Sequence, residues 1–259
     1  MSAADPEDRL PPSIGGLLRF AFAAYAERAP LYLLLALATF VAAAIAEYAL
    51  PAWVASTPHG QFKIWVLIFV HVFADALVIA AVALGVAARA AGEPAGAGII
   101  AGAAVERWLS VIIVTAIAQW YVFQTIFFSG FVQPPEPRAL VFVTAPLTWM
   151  LWGVLGLIGP IVALTRDRLG GLTGFARAFS LSLRRENLLR LALLSAITLV
   201  PSLLQTLAEK ALVQHHVPRS FFLANVPIAA LIVGPLAALQ TTFALDFARR
   251  AGKLETPPR

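Results

Sequence analysis

The sequence predicts an all-α, polytopic membrane bundle of six transmembrane helices accompanied by cytoplasmic amphipathic helices. Three observations carry this. Of 259 residues, 60% are hydrophobic and 13% charged, whereas a soluble domain of this size carries about 25% charged residues to cover its surface. Six apolar runs come near the length of about 20 residues that a helix needs to cross the hydrocarbon core. Finally, Lys and Arg are distributed between those runs with a strong compartmental bias.

The runs are Leu31–Leu50, Ile64–Ala88, Trp108–Phe131, Leu140–Leu164, Leu191–Leu207 and Phe221–Leu245. They show no alternation with period two and exceed the roughly 10 residues of a barrel strand, so they read as helices. The fifth is the shortest and contains Pro201. Residues 1–12 read as a disordered tail. Asp5, Glu7 and Asp8 within it replace the basic start of a signal peptide, which leaves insertion to the first span. Residues 251–259 form a second disordered tail, and residues 13–250 form one six-span domain.

Orientation follows from the basic residues. Of the 19 Lys and Arg, only Lys63, Arg138, Lys210 and Arg219 fall on one side of the runs; the others lie on the opposite side. The positive-inside rule then places both termini and the loop Thr165–Arg190 in the cytoplasm. With this topology Trp53 and Trp65 sit at the outer interface and Trp108 at the inner one. The net charge of +5 therefore reads as topology rather than as a nucleic-acid surface. The expected location is the bacterial cytoplasmic (inner) membrane.

A threefold internal repeat is expected, with units of about 13–90, 95–168 and 171–250. Glu27-Arg28, Glu106-Arg107 and Arg185-Glu186 precede spans one, three and five at spacings of 79 and 80 residues, and Gly85, Gly159 and Gly234 recur in the even spans at 74 and 75. Each unit reads as an amphipathic segment followed by a hairpin. Ile14, Leu17, Leu18, Ala21, Phe22 and Tyr25 make one apolar stripe, and Leu172, Phe175, Ala176, Phe179 and Leu183 make another. The middle segment, around Ile99 to Ala104, is rich in Gly and Ala and its stripe is weak. All three units start in the cytoplasm, unlike inverted transporter repeats.

Segments Ser13–Tyr25, Gly174–Arg184 and Phe243–Arg250 resemble a family of bacterial six-span proteins related to the membrane domain of glycerophosphoryl diester phosphodiesterases. The resemblance implies the fold. In the enzymes of that group, catalysis is expected of a separate soluble barrel with a His-Arg-Gly motif that this sequence lacks, so no phosphodiesterase activity is expected here.

Few residues offer chemistry. Within the runs only Glu47, His71 and Asp75 ionise, and a charge at mid-membrane costs about 2.5–3.5 kcal/mol on insertion scales. Asp75 lies roughly 16 Å into the second run at 1.5 Å per residue, with His71 one turn away on the same face. The pair reads either as a proton or ion relay or as a hydrogen-bonded polar pair. Partners for the latter include Gln119, Gln124, Thr198, Gln205 and Asn225. Glu47, near the end of its run, can reach water. His215-His216 reads as a surface pair, because adjacent histidines lack the i, i+4 spacing of a helical metal site. Gly159-Pro160 and Gly234-Pro235 read as gating hinges or as static kinks.

With no cysteine, no nucleophile–base pair and no phosphate loop, no catalytic residue, metal or cofactor is expected. The leading expectation is a non-enzymatic membrane protein that organises or anchors partners or lipids at the cytoplasmic face. Arg177, Arg184 and Arg185 are its contact residues, and membrane lipids, or another membrane or cytoplasmic protein, are its partners. The alternative is a small transporter or channel component that uses Asp75.

Overall fold

The structure, a computed structural model, describes residues 10–54, 60–93, 95–123, 138–165, 170–214 and 220–251, with side chains over part of these. The two expected tails, apart from residues 10–12 and 251, lie outside them. The described residues form eight helices and no strand: α1 (Ile14–Glu27), α2 (Ala29–Val54), α3 (Gly60–Ala91), α4 (Ala97–Phe123), α5 (Arg138–Leu164), α6 (Gly170–Ser182), α7 (Leu188–Gln214) and α8 (Ser220–Arg250). Each apolar run coincides with one of these helices, the third only as far as Phe123.

Local chemistry sets the breaks. Ser13 caps α1 by accepting from the Gly16 N–H at 3.1 Å. α1 and α2 meet at a 73° bend at Arg28, whose φ of −127° and ψ of 20° leave the helical region. Pro30 explains the bend, since it has no N–H to continue the α1 ladder yet is at home in the first turn of α2. α3 ends in a Schellman motif. Gly92 adopts a φ of 73°, and the N–H groups of Gly92 and Glu93 donate to the carbonyls of Arg89 and Ala88. Between α6 and α7 the chain turns through Leu183–Asn187, where Asn187 Nδ2 donates to the Leu181 carbonyl at 2.8 Å.

The middle segment differs from expectation. Glu106-Arg107 does not precede a separate span but lies inside the single helix Ala97–Phe123. After Gly102 that helix contains neither Gly nor Pro, so nothing interrupts its hydrogen-bond ladder.

Three helices form the centre: α3, α5 and α8 each pack on the other two. The remaining long helices occupy the grooves between them. α2 packs on α3 and α8, α4 on α3 and α5, and α7 on α5 and α8. Helix α1 lies against α8, α3 and α2, and α6 against α5, α4 and α8. Composition explains who sits inside. Val72, Ala74, Ala76, Val78, Ala80, Ala81, Val82, Ala83 and Val86 of α3 are all fully buried, and a helix apolar around its circumference is a buried one. Small side chains also let backbones approach closely. Gly153 faces Leu191 and Ser195 of α7, Gly159 faces Ile79 of α3 and Thr115 of α4, and Gly234 receives the Tyr25 ring.

The outer faces are apolar as well. Leu34, Leu37, Val41 and Ile45 form an exposed stripe along α2, and Val105, Leu109, Ile113 and Ile117 one along α4; Leu34 and Leu109 are more than two-thirds exposed. Patches of this extent are foreign to a water-facing monomer and fit contact with lipid. Over the described residues, Val72–Ala91, Ala97–Ala118 and Ala229–Arg250 are long and apolar enough to cross a membrane; α1 with Ala29–Ile45 would make a fourth if the bent pair is one span. Trp149–Leu164 and Leu188–Pro201 are shorter apolar helices.

Five hydroxyl groups within the bundle bond to their own helices, while those of Tyr32, Thr115 and Ser182 are buried without a hydrogen-bond partner among the described residues. Thr39, Ser195, Thr198, Thr241 and Thr242 each donate to the carbonyl four residues earlier, the usual solution for such residues inside helices.

Candidate functional site

Arginines gather at one end of the bundle, where the first helix of each hairpin begins and the second ends. At the α2–α3 hairpin, Arg89 pairs with Glu27, donates to the Ala23 carbonyl at 3.3 Å and lies 5.6 Å from the Phe20 ring centroid. Arg28 pairs with Glu27 at 3.4 Å and donates to the Ala95 carbonyl at 3.3 Å. In the α4–α5 hairpin, Arg107 donates to the Ala163 carbonyl at 2.6 Å. Arg190 of α7 reaches Asp246 of α8 at 2.5 Å. A cation is favoured near the carbonyl-rich end of a helix, and these arginines at the ends of α1, α5 and α8 all use that preference.

The Asp246 cluster is the most elaborate of these. Asp246 is fully buried, yet it contacts Arg190, Arg249 at 2.6 Å and Arg250 at 3.1 Å. The last two lie one turn further along α8, where i, i+3 and i, i+4 neighbours meet. The same arginines hold the segment before α1. Arg190 donates to the Pro12 carbonyl at 2.6 Å, and Arg249 donates to the Leu10 carbonyl at 2.5 Å and the Pro11 carbonyl at 3.5 Å. Leu10 is buried. Residues 10–12, expected in the disordered tail, are thus docked against the end of α8, because three acceptor carbonyls meet unsatisfied guanidinium donors there.

The expected contact arginines lie nearby on α6 and the turn after it. Arg184 pairs with Glu186 at 3.7 Å, and their side chains are 38% and 48% exposed. Arg185 is exposed, while Arg177 on α6 is half-buried and engaged in contacts of its own. Arg184, Arg185 and Glu186 line a shallow, open depression. Flanking it, Leu183 and Leu189 are exposed, Leu189 to 76%.

Asp75 lies on α3 between the buried Ala74 and Ala76, itself half-buried and with interactions of its own. Trp108 of α4 donates its indole N–H to the Phe73 carbonyl at 2.9 Å, with ring centroids 4.0 Å apart. This anchors Trp108 and the neighbouring Arg107 to the turn of α3 that carries Asp75. The side chains of His71, Glu47, Gln119, Gln205 and Asn225 lie outside the described residues, as do Gln124 and the pair His215-His216 entirely. Both Gly-Pro steps lie within continuous helix.

No protein-family profile, curated protein or solved structure matches the chain. Its chemistry must therefore be read from its own side chains. Among the described residues no group of three or more His, Asp or Glu is placed to hold a metal ion. The arrangement offers arginines in two states, some consumed in internal clamps and others, Arg184 and Arg185, turned outward beside exposed leucines. Sequence reasoning did not single out Asp246, Arg190 or Arg249. Their signal was the placement of Asp246 three and four residues before Arg249 and Arg250, at the end of an apolar run.

Proposed function

We propose that the chain is a non-enzymatic inner-membrane protein that crosses the membrane six times as three like-oriented hairpins and engages anionic lipid headgroups at its cytoplasmic, arginine-rich face. Packing supports the six-span, three-unit reading. Each hairpin contributes one helix to the centre and one to a groove, and α1 and α6 correspond in packing mainly on the inner helix of another hairpin, α8 and α5, and less on that of their own, α3 and α8. On this reading the chain shares the architecture of the phosphodiesterase-associated membrane domains it resembles, without their chemistry.

One observation carries the functional part: the turn Leu183–Leu189, which pairs outward-facing Arg184 and Arg185 with exposed Leu183 and Leu189. Apolar side chains directed into acyl chains, with cations at phosphate level, describe an interfacial contact. Each basic residue near an anionic surface contributes about 1 kcal/mol. The combined charge reversal Arg177→Glu, Arg184→Glu and Arg185→Glu should therefore lower retention of phosphatidylglycerol relative to phosphatidylcholine by roughly tenfold or more, measured on lipid co-purified with the folded protein. Unchanged retention would remove this reading.

The transporter reading rests on Asp75. Against it stands the apolar centre of α3, α5 and α8, where the α8 hydroxyls of Thr241 and Thr242 bond to their own backbone. In proteoliposomes the unsubstituted protein should carry no proton or cation flux, and Asp75→Asn should change nothing. A flux abolished by Asp75→Asn would favour transport instead.

A further inference from the structure

Around Asp246 three guanidinium groups face one carboxylate. Two positive charges are thus left without a counter-charge among the described residues. The side chains are only 12%, 20% and 30% exposed for Arg190, Arg249 and Arg250, so water does not simply dissipate the imbalance. Among the described residues, the other oxygens set against these arginines are the carbonyls of Leu10, Pro11 and Pro12. Pro11 and Pro12 have no N–H, so this stretch turns acceptors toward the arginines and offers no donor at either proline. It has the form of an oxyanion without the charge.

We propose that Leu10–Pro12 is a displaceable strap over an anion site formed by Arg190, Arg249 and Arg250, and that the ligand is the phosphate of an anionic phospholipid. The site deepens the proposed function, resting on the arginine-rich end lying at headgroup level. Phosphate oxygens replace the carbonyls as acceptors and bring a negative charge of their own, and such charge-assisted bonds are stronger than bonds to neutral carbonyls. Asp246 holds the guanidinium groups in place without neutralising them all. Arg250, which reaches Asp246 through Nε and is the most exposed of the three, is where an incoming phosphate is first met. Because Arg190 and Arg249 hold both the strap and Asp246, phosphate binding releases the segment that leads into α1.

The sequence contains no cysteine, so a single Leu10→Cys thiol reports the strap cleanly. In nanodiscs of phosphatidylcholine, the buried thiol should react slowly with a maleimide. Adding phosphatidylglycerol should accelerate labelling by about tenfold as the strap-off population grows, and Arg250→Gln should blunt that acceleration. If inorganic phosphate in phosphatidylcholine discs accelerates labelling equally, the site stands and its source is free phosphate. Equal labelling rates in phosphatidylcholine alone, with phosphatidylglycerol and with phosphate overturn the site. An acceleration that Arg250→Gln leaves intact overturns it too. The outcome is independent of the turn arginines: a lipid-insensitive thiol alongside reduced retention in the Arg177, Arg184 and Arg185 variant removes the strap and keeps the function. A responsive thiol with unchanged retention does the reverse.

Discussion

Asp246→Ala should destabilise the protein by about 3 kcal/mol, near the lower end of what removing one member of a buried ion pair costs. The carboxylate is fully buried and is the shared partner of Arg190, Arg249 and Arg250, so its loss leaves those cations facing one another. The lower end applies because all three retain some exposure and can turn partly toward water. Asp246→Asn keeps one acceptor oxygen and should cost roughly half as much. Arg250→Gln removes one described bond and relieves like-charge crowding, so its cost should stay under about 1 kcal/mol. Denaturant unfolding in detergent would rank the variants. A cost for Asp246→Ala below that of Arg250→Gln would show that the cluster does not organise this end of the bundle.

Gly85→Ala should destabilise by about 1–3 kcal/mol, the usual range for overpacking a filled interior, and Tyr32→Phe should restore most of the loss. A Cβ at position 85 would overlap the Tyr32 hydroxyl and stand 3.1 Å from its Cζ. Tyr32 cannot easily retreat. It is 1% exposed and stacked on Tyr25 at 5.6 Å between centroids, and Tyr25 in turn sits in the notch at Gly234. The Tyr32 hydroxyl lies beside the Arg28 side chain but makes no hydrogen bond of good geometry among the described residues. Deleting it alone should therefore change stability by less than about 1 kcal/mol. In the double variant only the Cζ approach remains, a few tenths of an ångström from ordinary contact. Additive losses in a double-mutant cycle would contradict this packing.

Hydropathy made the helices legible, because each run longer than about 20 apolar residues has little alternative in lipid. The spacing of Gly85, Gly159 and Gly234 was legible, but not that they lie at close approaches, as Gly153, Gly156 and Gly174 do without sharing that spacing. What Gly85, Gly159 and Gly234 receive was not legible either, since Tyr25, Tyr32 and Ile79 come from distant segments. Glu106-Arg107 resembled a helix start only by analogy with Glu27-Arg28. The break at Arg28 depends on Pro30, which has no counterpart after Arg107. Trp108 reads as an interfacial belt residue, and the backbone carbonyl that receives its N–H is an acceptor that no side-chain pattern marks. Asp246 was hidden most thoroughly. With Arg249 and Arg250 it looks like a solvated helix end, until Arg190, 56 positions earlier in the chain, closes over it.

The groove between α3 and α8 that receives α2 has a consequence for synthesis. Tyr25 finds its notch at Gly234, about 200 residues downstream, and at ordinary elongation rates that interval lasts roughly 10–40 s. The earliest helices are therefore made well before α8 and keep one packing face unmatched until α8 reaches them. A chaperone or insertase that shields small-residue surfaces would have its longest task on the first hairpin, and truncation before α8 would leave that hairpin exposed to quality-control proteolysis.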